Sequence, residues 1–210
     1  MHILFIHGLG RTPLSGQPVL WRLRRQGHAT SSFGYCAAVQ DFQAIRERLV
    51  RRLVRLADRG PYVVVAHSLG GVLLRGALAQ LPEATPRPRL VFLLGSPVQA
   101  SRWARRLQDR LWYRILTGEC GQLLASPERM AAIGPVFGPC LSLVGTRGLS
   151  GVWGPFQGEP NDGVVAISEA AANWITQEIR LPVVHTLLPA SGRVAAILLD
   201  RLRLTADGGS

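Results

Sequence analysis

Ser68 lies in Ala66-His67-Ser68-Leu69-Gly70, directly after the β-branched run Tyr62-Val63-Val64-Val65. A serine on a sharp turn from a buried strand into a helix is held in strained backbone, with its hydroxyl pushed out at the carboxyl edge of a sheet. Small residues two before and two after it let strand and helix approach, and here they are Ala66 and Gly70. The pattern more often has glycine at the first of these positions, but alanine is still small. The helix that follows presents backbone N–H groups and a positive dipole end to any oxyanion that develops beside the serine. The chemistry such a residue can do is nucleophilic attack on a carbonyl carbon.

A serine hydroxyl needs a base. Of the five histidines, His2, His7, His28 and His67 precede Ser68, and only His185 follows it. Where a serine sits on such a turn the chain order is nucleophile, acid, histidine, which leaves His185 by elimination. The acid must come between them, from Glu83, Asp109, Glu119, Glu128, Glu159, Asp162, Glu169 and Glu178. Asp162 stands out, because Asn161-Asp162-Gly163-Val164-Val165 puts a carboxylate in a tight turn that glycine permits. An aspartate there would fix the imidazole tautomer and stabilise the imidazolium. Glu159 is held in reserve.

A glycine loop, Ile6-His7-Gly8-Leu9-Gly10, follows the first apolar run. Its backbone can turn an N–H toward a reacting carbonyl oxygen, so the N–H groups of Leu9 and Leu69 are the expected oxyanion donors. A phosphate loop would also follow a first strand. The chain has no G-x-G-x-x-G, no Gly-Lys-Ser/Thr and no lysine at all, which argues against it. His7 is expected to brace the loop, and His67 to point away from Ser68.

The elements that must hold these residues alternate. Short apolar runs at Ile3–His7, Tyr62–Ala66, Leu90–Leu94, Leu141–Val144 and Val183–Leu187 read as strands, with a weaker one at His28–Phe33. Helices are expected at Pro18–Gln26, Asp41–Arg59, Ser68–Leu81 and Val194–Leu204, the second with Ile45, Leu49, Leu53 and Leu56 on one face and Asp41 as its N-cap. Alternation of this kind predicts an α/β fold, a mostly parallel central sheet with helices on both faces. Residues 99–138 break the pattern. Ser101–Leu116 reads as a helix with Trp103 and Trp112 among arginines, either an ordinary surface helix or a small cap over the site.

The length fits a single domain spanning residues 1–210. The net charge is +11, carried entirely by arginine. It fits attraction to an anionic membrane surface, or simply a genome rich in arginine codons. No nucleic-acid module with interleaved aromatics is present, so nucleic acid is not an expected partner. No apolar run approaches the about 20 residues of a membrane span. The first residues lack a basic segment and run straight into the glycine loop, so a cytoplasmic protein is expected. Three widely spaced cysteines, Cys36, Cys120 and Cys140, point to free thiols and not to a metal site.

Together, His7-Gly8-Leu9-Gly10, Ala66-His67-Ser68-Leu69-Gly70-Gly71, Gly95-Ser96-Pro97, Asn161-Asp162-Gly163-Val164-Val165 and His185 resemble the α/β-hydrolase superfamily. The resemblance is strongest to its lipase and esterase branch, which includes bacterial triacylglycerol lipases, and runs from residue 3 to about 204. It implies a minimal version of that fold, beginning at the strand before the oxyanion loop. It implies Ser68, Asp162 and His185 as a triad and Leu9 and Leu69 as oxyanion donors, with no cofactor and no metal. The implied substrate is a small-molecule ester or lipid, with Leu9, Trp103, Trp112, Trp153 and Phe156 as candidate pocket residues. An acyltransferase or thioesterase on the same triad, or a binding protein that kept the fold, are the alternatives.

Overall fold

Six strands form one sheet in the order β2-β1-β3-β4-β5-β6, parallel throughout. In this computed structural model, which describes residues 1–149, 151 and 154–207, they are β1 (His2–Ile6), β2 (Ala29–Phe33), β3 (Tyr62–His67), β4 (Leu90–Leu94), β5 (Cys140–Gly145) and β6 (Gln177–Leu181). The helices are α1 (Gln17–Arg24), α2 (Phe42–Ala57), α3 (Leu69–Ala79), α4 (Arg102–Leu107), α5 (Leu111–Ala125), α6 (Pro127–Ala132), α7 (Ile167–Ala170) and α8 (Gly192–Asp207). No described helix is long and apolar enough to cross a membrane.

The central strands are apolar on both faces because both faces are covered. Leu4, Ile6, Val64, Ala66, Val91 and Leu93 pack against α2, α3 and the α5–α6 segment. The alternate residues Ile3, Phe5, Val63, Val65, Phe92 and Leu94 pack against α1 and α8. Asp41 caps α2 as expected, its carboxylate accepting from the Ala44 N–H at 2.7 Å.

Two expectations are corrected. Val183–Leu187 is not a strand. The last strand is the edge strand β6, where Gln177, Glu178 and Arg180 interrupt the apolar sequence and only Leu181 is buried, a pattern that a search for continuous apolar runs passes over. Pro182 then removes a ladder donor, Val183 N–H turns back onto Leu181 O, and His185–Ala190 coils into a 3-10 turn. Ser101–Leu116 is likewise not one helix. The chain leaves helical geometry between α4 and α5, and leaves it again at Gly118, at φ 55°. A β-carbon at Gly118 would collide with the carbonyl oxygen of Ala37.

The order of the sheet reverses between β1 and β3, the place where parallel α/β sheets open a crevice at their carboxyl ends. There α3 starts unusually close to β1. A β-carbon on Gly70 would stand 2.6 Å from the carbonyl oxygens of both Ile6 and His7. Farther along α3, the buried Arg75 guanidinium donates to the carbonyls of Gly134 (3.0 Å) and Ile133 (2.5 Å), tying the helix to the segment after α6. Burial pulls its pKa down to about 10, so it remains charged at neutral pH.

Gly70→Ala is therefore expected to cost about 1–3 kcal/mol of stability, since the new methyl can only be housed by moving α3 off β1. Urea unfolding measures this, and a variant as stable as the parent would mean that the close approach is not required.

Candidate active site

The β3–α3 turn forces Ser68 to φ 53° and ψ −125°, a region a side-chain-bearing residue enters at a cost of about 1–3 kcal/mol. Its N–H is held by Leu94 O at 3.0 Å, and its own carbonyl accepts from Gly71 N–H at 2.9 Å. Gly71 lies so close to Ser96 that a β-carbon would fall 2.6 Å from the Ser96 Cβ. Ser96 in turn donates to Ala66 O at 3.2 Å, bracing the end of β3.

Asp162 and His185 are joined twice. Nδ1–H of His185 donates to Asp162 Oδ2 at 2.7 Å, and the His185 backbone N–H donates to Asp162 O at 2.8 Å. The other carboxylate oxygen, Oδ1, accepts from the N–H groups of Val164 (2.9 Å) and Val165 (2.7 Å). With Nδ1 committed as a donor to a carboxylate, Nε2 of His185 is left as the acceptor. Both residues are buried. They can lie at the end of the sheet because β4 and β5 are followed or closed by glycine. A β-carbon at Gly95 would sit 2.8 Å from Asp162 Oδ2 and 3.0 Å from His185 Nδ1, and one at Gly145 would sit 2.6 Å from Asp162 Cβ. Glu159, the reserve acid, is turned elsewhere, pairing with Arg102 at 2.7 Å.

Ser68 and His185 line one cavity of about 410 Å³, a size suited to a small molecule. Among the described residues neither Ser68 Oγ nor His185 Nε2 makes a hydrogen bond, so both face the cavity uncommitted. Bonds of this kind commonly tighten only when substrate is bound. Leu9 lines the cavity, whereas the Leu69 side chain is in the core and only its backbone stands at the start of α3. The N–H groups of Leu9 and Leu69 have no backbone partner among the described residues. The loop carrying Leu9 is set by His7, which stacks on Tyr35 at 4.1 Å, donates from Nδ1 to Gly8 O at 2.9 Å and accepts the Tyr35 N–H at 3.3 Å.

The residues between β4 and β5 roof the cavity. Ser101, Trp103, Ala104, Leu107, Tyr113 and Leu124 all contribute to its wall. Trp103 also donates to Gly163 O at 3.0 Å, holding the turn of Asp162. Glu169 fastens the same roof from below, accepting from the N–H groups of Arg102 and Ala166, each at 2.6 Å. Of the other expected pocket residues, Trp112 is instead half-exposed on the outer face of α5. Phe156 is buried behind Trp103, edge to face at 6.4 Å. Trp153 lies outside the described residues. Tyr113, Leu124 and Arg11 were not expected here. Among the described residues no group of three or more His, Cys, Asp or Glu side chains is set to hold a metal ion.

His67 departs from expectation. It does not turn away from Ser68, and both side chains line the same cavity wall. Its Nε2–H donates to His185 O at 3.1 Å and its ring lies 4.7 Å from that of His185. Nδ1 is buried without a partner. Burial, with the neighbouring His185 next, pushes its pKa well below the ordinary 6.5, so the ring is neutral.

No family model and no curated protein matches the sequence. Solved structures match it in three dimensions. A metagenomic carboxyl esterase, MGS0156, superposes at a TM-score of 0.75 and 19% identity over 99% of this chain and 76% of its own. The mature Bacillus licheniformis lipase BlEst2 follows at 0.67 and 16%, over 95% and 90%. RedJ, a thioesterase from the prodiginine pathway of Streptomyces coelicolor, gives 0.66 and 16%, over 96% and 88%. The chain has the α/β-hydrolase fold. Its sheet supplies the β1, β3, β4 and β5 carboxyl ends at which the glycine loop, Ser68 and the Asp162–His185 pair collect, and residues of α4 and α5 line the cavity above them.

The depressed pKa of His67 makes a stability prediction. A histidine whose folded pKa lies below 6.5 binds its proton more readily in the unfolded chain, so stability falls as pH drops through 6.5 toward the folded value. His2, His7 and His28 are lowered as well and act in the same direction. Urea unfolding free energies should decline from about pH 7 to about pH 5, and less steeply in His67→Gln, whose amide keeps a donor for His185 O. An identical slope in the variant would mean that His67 accepts a proton in the folded protein.

Proposed function

We propose that this protein is a serine hydrolase of carboxylic esters with an apolar acyl portion. The observation that carries the proposal is the buried 2.7 Å Asp162–His185 pair in the wall of the cavity that the strained Ser68 also lines. In this reading Ser68 Oγ attacks the ester carbonyl carbon while His185 Nε2 takes its proton. The carbonyl oxygen becomes an oxyanion that accepts from Leu9 and Leu69 N–H. As the C–O bond to the alcohol breaks, the imidazolium returns the proton to the departing oxygen. Water then adds to the acyl-enzyme with His185 as base, and the acid and the Ser68 hydroxyl are released. Asp162 holds Nδ1–H throughout and stabilises the imidazolium.

A thioester is the second reading, supported by the likeness to the RedJ thioesterase. The steps are the same with a thiol as leaving group.

A fluorophosphonate probe should label the wild type and not Ser68→Ala, and p-nitrophenyl esters of differing chain length should be turned over. Asp162→Asn must present its amide NH₂ either to two backbone N–H groups or to His185 Nδ1–H, which forces a clash or the wrong tautomer. Its kcat should fall by about a thousandfold or more with the circular-dichroism spectrum unchanged. Labelling that persists in Ser68→Ala, or full activity in Asp162→Asn, would count against the mechanism.

A further inference from the structure

We infer that the ester taken by this site carries a negative charge on its alcohol or thiol portion, and that Arg11 is the residue that recognises it. The inference rests on the serine-hydrolase reading above and narrows its substrate class.

The cavity wall is apolar on the cap side, where Leu107, Tyr113 and Leu124 stand. Burial pushes the Tyr113 phenol up to about 12, so it adds no charge. Among the described residues lining the cavity Arg11 is the one charged side chain, and no carboxylate faces it there. Arg11 sits two residues beyond Leu9 on a turn that its own N–H closes onto Gly8 O at 3.3 Å, with Gly10 at φ 63°. The guanidinium thus springs from the same short turn as the N–H assigned to the carbonyl oxygen. It is solvent-exposed and joins no ion pair among the described residues. Its charge nonetheless reaches inward, adding to the burial that keeps His67 neutral.

An unpartnered guanidinium beside an apolar cavity favours a ligand with two unlike ends. The acyl chain takes the apolar wall, and a phosphate or carboxylate on the leaving portion accepts hydrogen bonds from the guanidinium fork. The roof reinforces the same sign. Arg105, Arg106, Arg110 and Arg114 are exposed on and between α4 and α5, and Asp109 is the sole acid from residue 102 to residue 118. A neutral ester gains nothing from this field, whereas an anionic one is drawn toward the mouth. The shared chemistry, an acyl group joined through oxygen or sulfur to a phosphate-bearing portion, could reach the site as a monoacyl phospholipid or as a soluble acyl thioester.

Two matched pairs test this: decanoylglycerol against decanoylglycerol 3-phosphate, and S-decanoyl-N-acetylcysteamine against decanoyl-coenzyme A, all below their micellar concentrations. In at least one pair kcat/KM at low salt should favour the charged member by about tenfold or more, the scale of a charge-assisted hydrogen bond. The preference should shrink in about 0.5 M salt. In Arg11→Gln the charged-to-neutral ratio should fall toward one, and in Arg11→Glu below one. Arg203→Gln, on α8 and outside the cavity, should keep the wild-type ratio. The pair that shows the preference identifies the source, lipid headgroup or soluble carrier. Neutral esters cleaved with no preference in either pair, or a ratio untouched in Arg11→Gln, overturns the inference and leaves the hydrolase reading standing. No turnover of any of the four overturns both.

Discussion

Strand β3, buried on both faces, passes through a single residue into α3, which packs back on the same sheet. Ser68, at φ 53°, is that residue, and much of the architecture around the site serves to hold it there. Gly70 lets the first turn of α3 lie on the carbonyl oxygens at the end of β1, and Gly71 lets it lie on Ser96. The backbone strain is offset by the burial of β3 and of nearly every residue of α3, whose apolar side chains reach both the sheet and α2. Because the kink sits where the sheet order reverses, the hydroxyl it exposes stands in a crevice and not on a flat edge.

The second constraint is the depth at which Asp162 and His185 meet. A carboxylate removed from water must be hydrogen-bonded, and here two backbone N–H groups and one imidazole N–H supply the partners. The turn that carries it is locked from its other side by Asn161, whose amide bonds to Leu149, Glu159 and Gly163. From above it is locked by Trp103. The roof is therefore more than a cover: the same side chain that lines the cavity also fixes the turn of Asp162. Glu159 and Glu169, on either side of Asp162 in the chain, both bind Arg102 at the start of α4, so the roof and the Asp162 turn form one bonded unit.

His67 joins the two constraints. It is the residue before the kink, and its Nε2–H holds the carbonyl of His185. Its neutrality follows from burial, and that neutrality matters, because a charged ring 4.7 Å from His185 would oppose the positive charge the proposed base must carry.

The sequence by itself determined the parallel α/β class and the positions of four of the central strands, because short apolar runs separated by helical segments have few other ways to be buried. It also marked Ser68, Asp162 and His185, because a turn before a helix, an Asp-Gly turn and a lone downstream histidine are local or ordinal features. It could not find β6, whose polar residues belong to a half-exposed edge strand, nor the breaks between Leu107 and Leu111 and at Gly118. Those depend on what α4 and α5 pack against. Nor could spacing tell that Trp112 faces outward while Tyr113 faces the cavity, or that His67 and Arg11 share a wall with Ser68. Such neighbours are set by three-dimensional approach between segments far apart in the chain, and no local pattern encodes it. The sequence thus singled out the candidate groups; tertiary packing decided which surfaces and charges surround them.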